Sequence, residues 1–161
     1  MEAEGPPRVA VEPGFLVLRV RPGMAREARA KVVAAWQRRL LLEAASALVA
    51  TWEPRLAVRV RGLSVRQMKT KWGSCTPRAG TIRLNTELVR RPRDLLEYIV
   101  VHELLHLLEP SHGPRFRCLL GQHLPAWREL RDRLNRLSPG HGGEERRSEP
   151  PVPPGSPAGV W

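Results

Sequence analysis

The feature that most constrains this chain is LLEYIVVHELLHLLEP, a run apolar on nearly every side that still carries two histidines and three glutamates. A helix of that composition has little polar surface to offer water, so it belongs inside a fold. Burying His102, Glu103 and His106 there is costly unless something compensates them. Two histidines four apart lie on one helix face, about one turn from each other, so both can grip a single divalent cation. Glu103, between them, is carried close to the open coordination position without needing to bind the ion. Ligands, a Lewis acid and a carboxylate to take a proton from bound water are what metal-assisted hydrolysis of an amide requires. Pro110 is expected to end the helix and turn the chain, bringing His112 back toward the same ion.

His112 follows His106 by six residues, the ligand interval of HExxHxxxxxH zinc proteases. Metzincins share that interval but place a glycine where this chain has Glu109, and a methionine turn downstream. Here Met1, Met24 and Met68 all precede the motif, so the chain is no metzincin. Two other residues compete as third ligand: Glu129, in a following helix as in thermolysin-like enzymes, and His123, which also reads as a surface or packing residue.

A chain of 161 residues supports one domain with a core that needs no covalent staples. No stretch is long and apolar enough to span a bilayer, so no membrane partner is expected. The N-terminus MEAEGPPRVAVEPG is acidic and proline-bearing, the wrong start for a signal peptide. Cys75 and Cys118 form no CxxC pair, which fits free thiols in a reducing cytoplasm and excludes a cysteine-built zinc ribbon. Net charge is +11, and it is unevenly spread: between Arg55 and Arg93 stand eleven Lys or Arg residues and one acid, Glu87. Such a stripe is a solvated face, or a surface that meets an acidic protein or makes weak, non-specific DNA contact. Trp72 is the lone aromatic in it, so there is no platform for stacking bases.

Along the chain, residues 1–14 read as a flexible N-terminus and Phe15–Arg21 as a short strand. One long helix, or two with a break near Leu41, is expected from Met24 to about Thr51, ended by Pro54, and then a half-buried strand over Leu56–Arg61. SVRQMKTKWGSCTPRAGTIRLN reads as two strands joined by a turn at Thr76–Gly80. Pro92 and Asp94 favour the start of the metal helix. Two shorter helices follow, Pro114 to about His123 and Pro125 to about Leu137. Residues 138–161, rich in proline and glycine, read as a disordered tail.

Several separated blocks, MKTKWGSC, TIRLNTELV, EYIVVHELLHLLEPSHGPRF and HLPAWRELRDRL, resemble in order and spacing the YgjP-like metallopeptidase domain family. VVAAWQRRLLLEAA is similar to the family's preceding helix, so the resemblance covers about residues 15–137. Broader relatives are the SprT-like and WLM-type zincins, which include proteases of DNA-crosslinked proteins. The resemblance implies an α+β zincin-like metallopeptidase fold, helices packed on a small twisted sheet with the HExxH helix beneath it. It implies Zn2+ as cofactor, His102, His106 and His112 as ligands, Glu103 as the catalytic carboxylate, and a protein or peptide substrate. The chain departs from the family at Arg117, where a large aromatic is common, and in a shorter N-terminal portion.

The implied chemistry is water activation, with Glu103 as general base and later as proton donor to the leaving amine. Arg115 is a candidate oxyanion donor. The strand near Lys71-Trp72-Gly73-Ser74 offers an edge for an extended peptide, although Trp72 reads equally well as core and Gly73 as a bulge. The alternatives are a metal-binding adaptor without catalysis, associated with DNA through the basic stripe, and a Cys75 nucleophile.

Overall fold

One 31-residue helix, α1 (Arg26–Leu56), frames the structure, a computed structural model that describes residues 5–137. Its buried positions are Leu41, Ala45, Leu48, Val49, Trp52 and Leu56, spaced by three and four, so only the C-terminal half lies on the core. The helix runs through Pro54, where a stop was expected. A proline in the last turn forfeits one intrahelical bond, and the stop comes at Ala57, which adopts the left-handed conformation at φ 53°. Glu53 then captures the chain beyond: its carbonyl accepts from Val58 N–H and its carboxylate from Val60 N–H at 2.8 Å. Tied to the helix end in this way, residues 58–61 form no strand. The strand expected at Leu56–Arg61 instead begins at Gly62.

Three strands form the main sheet: β3 (Gly62–Arg66), β4 (Gly73–Thr76) and β5 (Thr81–Asn85), in the order β3-β5-β4. β3 pairs with β5 in parallel and β4 with β5 antiparallel. The register sets Leu63 beside Ile82, Val65 beside Leu84, Gly73 beside Leu84 and Cys75 beside Ile82. Side chains alternate across a sheet, so these six share the face that covers the core. β4 is left at the sheet edge.

A separate hairpin, β1 (Arg8–Glu12) with β2 (Phe15–Arg19), precedes α1. Residues 8–12, expected within a flexible N-terminus, are therefore paired strand. Five residues between a Pro-Pro pair and a Pro-Gly turn are too short to declare themselves before their partner is known. The C-terminal segment expected to be disordered, 138–161, lies outside the described residues.

α2 (Arg93–Leu105) is the central element, with ten of its thirteen residues buried. The Asp94 carboxylate accepts from Leu95 N–H and pairs with Arg133 of α4 (Trp127–Arg136), fixing the start of α2 against that helix. α2 ends at Leu105, earlier than Pro110 would dictate. His106 keeps helical dihedrals as the cap, and Leu107, Leu108 and Glu109 follow in tight turns bonded back to Leu104 and Leu105. α3 (Pro114–His123) then packs Phe116 and Leu120 into the core, with Pro114 at its first position. Within the described residues, no helix is long and apolar enough to cross a membrane.

Candidate metal centre

The end of α2 and the turn after it bring three imidazoles together. The Nε2 atoms of His102 and His112 are 3.0 Å apart, those of His106 and His112 3.0 Å, and those of His102 and His106 3.3 Å. A tetrahedral zinc with Zn–N bonds of 2.0–2.1 Å holds its nitrogens about 3.3 Å apart, so this triangle fits such an ion. His106 donates its Nδ1–H to the Glu109 carbonyl at 3.0 Å, which leaves the Nε2 lone pair turned to the centre. All three imidazoles are held below their ordinary pKa, chiefly by burial, and are neutral at pH 7. Neutral imidazole is the form that binds metal.

Phe116 of α3 supports the whole cluster. Its ring stacks on His106 with centroids 4.6 Å apart, and meets His102 at 4.9 Å and His112 at 5.0 Å. The HGPRF segment places this ring by helical geometry: His112 precedes α3 and Phe116 lies in its first turn. Sequence reasoning assigned Phe116 no role, because an aromatic beside a helix start reads as ordinary core.

Glu103 is buried beside the histidines, and burial pushes its carboxyl up to about 8 while the Lys71 charge works in the opposite direction. The carboxylate rests on Gly73 of β4. A Cβ at Gly73 would sit 2.9 Å from Glu103 Oε1, 3.0 Å from its Cγ and 3.1 Å from Ile99 Cγ2, so a side chain there would displace the carboxylate. Only a glycine at position 73 therefore leaves room for the Glu103 side chain as it stands. Lys71, Gly73, Ser74 and Cys75 line one wall of a cavity of about 280 Å³, with Glu103, His106 and His112 on the other.

Asn85, which the sequence did not single out, fixes that wall. It is fully buried, and its side-chain amide donates to the carbonyls of Met68 at 2.8 Å and Lys71 at 2.7 Å. Its carbonyl oxygen accepts from Glu87 N–H, and its backbone N–H donates to Trp72 O at 2.8 Å. Every strong polar group of this side chain is therefore satisfied.

Trp72 is buried in the core with the Arg91 guanidinium over its ring, so it offers no face to a peptide. Arg115 is exposed and faces Glu109 at 3.6 Å, outside the cavity wall. Among the described residues the ligand-forming cluster is His102, His106 and His112. His123 packs edge-on against Trp52, and Glu129 is exposed on α4. Cys75 lines the cavity, but burial and the Glu103 charge raise its thiol to about 11, which keeps it protonated and a poor nucleophile.

The α+β arrangement, with the HExxH helix under a small sheet and a three-histidine cluster at its end, is that of a zincin-like metallopeptidase. The chain belongs to the YgjP-like metallopeptidase domain family, whose model matches residues 3–137. Among solved structures, the chain is similar to the metallopeptidase zymogen of Pyrococcus abyssi abylysin. That likeness has a TM-score of 0.54 at 21% identity and covers 58% of this chain and 93% of the other. The metallopeptidase zymogen of Methanocaldococcus jannaschii jannalysin matches at TM-score 0.49 and 22% identity, over 60% of this chain and 95% of the other. No curated protein matches the chain.

Proposed function

We propose that this protein is a zinc-dependent peptidase with His102, His106 and His112 as metal ligands and Glu103 as general base. The observation that carries the reading is the convergence of three neutral imidazole nitrogens within 3.3 Å of one another, beside a buried carboxylate. Bound zinc would supply Lewis acidity and acidify a water. Glu103, seated on Gly73 at the cavity wall, takes the proton from that water and passes it to the leaving amine. β4, at the sheet edge, aligns an extended substrate by main-chain hydrogen bonds along Ser74 and Cys75. A non-catalytic adaptor would have no use for a carboxylate buried at the open side of the cluster.

The ligand set is tested by metal content. His112→Ala is expected to lose stoichiometric zinc, while Glu129→Ala, altered at an exposed position on α4, keeps it. The reverse pattern would contradict the assignment and point to a thermolysin-like site.

A further inference from the structure

Lys71 stands in the wall of the metal cavity. Among the described residues that line the cavity, it is the one Lys or Arg side chain. None of the ion pairs among the described residues includes it. The backbone on both sides of its side chain is pinned: Asn85 holds the carbonyls of Met68 and Lys71 by its side chain and that of Trp72 by its backbone. Lys71 is thus an exposed lysine on a fixed backbone at the cavity wall, and its charge reaches as far as Glu103, which sets it close enough to the reacting centre to meet an anion there.

We propose that the site selects acidic polypeptides, with Lys71 holding an Asp or Glu carboxylate of the substrate beside the scissile bond. The proposal rests on the peptidase reading above and names its substrate class. The surroundings support it. Eleven Lys or Arg residues against one acid lie between Arg55 and Arg93, the segment that builds β3, β4 and β5. In register with Ser74 of the edge strand, Arg83 is exposed on the outer face of the sheet, and Arg78 is exposed in the β4–β5 turn. A field of that sign speeds the approach of an anionic chain. The cavity favours polypeptide over nucleic acid, because Trp72, the only aromatic in this segment, is buried and cannot stack on a base.

The test uses a peptide pool with Asp or Glu, Asn or Gln, or Lys or Arg at each position flanking the cleaved bond. Cleavage is read by mass spectrometry for the zinc-loaded wild type, Lys71→Met and Lys71→Glu. Wild type is expected to prefer Asp or Glu over Asn or Gln by about two- to fivefold in kcat/KM, as a contact with an exposed lysine gives. Lys71→Met should level that preference, and Lys71→Glu should invert it toward Lys or Arg. Because these are ratios, any shared loss from the altered surroundings of Glu103 cancels. Anisotropy of fluorescein-labelled Asp and Asn peptides on zinc-loaded Glu103→Gln reads the same preference without turnover. Equal rates and affinities in wild type, or an acidic preference that survives Lys71→Glu, would overturn the proposal. So would duplex DNA that displaces the labelled Asp peptide more effectively than the unlabelled peptide does. A protein that binds Asp peptides selectively but cleaves none would support the Lys71 contact while sinking the peptidase reading. Cleavage without preference would do the opposite.

Discussion

At Glu103 burial and the Lys71 charge pull in opposite directions, and burial wins: the carboxyl is pushed up to about 8. At pH 7 the side chain therefore carries its proton, while the three imidazoles carry none. A divalent cation beside it favours the carboxylate, so loading the protein with zinc at pH 7 should release about one proton per ion. The release should fade above pH 8, where Glu103 is already ionised. Calorimetric titration in buffers of different ionisation enthalpy measures it. In Glu103→Gln the release should be much reduced, and an unchanged value there would place the proton elsewhere. The placement of His102, Glu103 and His106 along one turn at the end of α2 was legible in the sequence because a fixed helical spacing encodes it. The close seat of Glu103 on Gly73 was only partly so: a glycine in a strand announces close approach without naming what approaches.

Among the elements, α3 contributes most to the site without supplying a ligand. Phe116 contacts all three imidazole rings and fills the core beneath them. Phe116→Ala should cost about 3–5 kcal/mol of stability, as large truncations in a packed core do. It should also weaken zinc binding about ten- to a hundredfold, the usual effect of losing a group that orients ligands. Thermal unfolding and competition with a chromogenic chelator measure the two effects. Zinc affinity at the wild-type level would show that the ring only fills space. The β4–β5 turn, α3 and α4 were readable from turn residues and helical periodicity. The end of α1 was not, because the stop comes from Ala57 and from the Glu53 bond to Val60, a tertiary capture that no propensity shows. The role of Asn85 was hidden for a similar reason: its partners lie 14 and 17 residues away.

For the molecule as a whole, the core draws on all four helices and the inner face of the sheet, and most of its apolar residues lie away from the metal cluster. The protein stripped of metal should therefore stay folded, with a stability that depends on pH in two opposing ways. His102, His106 and His112 have depressed pKa values, so the unfolded chain binds their protons first and stability falls as pH drops below about 6.5. Glu103 is raised from 4.5 to about 8, so the native state keeps its proton longer and stability falls as pH rises through that window. Below 6.5 three histidines outweigh one glutamate; above it Glu103 acts alone. The melting temperature of the stripped protein is thus expected to peak near pH 6.5, and Glu103→Gln should flatten its decline toward pH 8. A monotonic rise from pH 5 to 8 would contradict this balance.

The central claim, that a buried carboxylate beside a three-histidine zinc site hydrolyses peptide bonds, is tested most directly by Glu103→Gln, with bound zinc and cleavage of an unfolded protein measured on the same preparation. The account predicts about one zinc per chain in both proteins, and a hundredfold to ten-thousandfold loss of cleavage in the variant, about the loss that follows removal of a general base. Full zinc with undiminished cleavage in Glu103→Gln would contradict it.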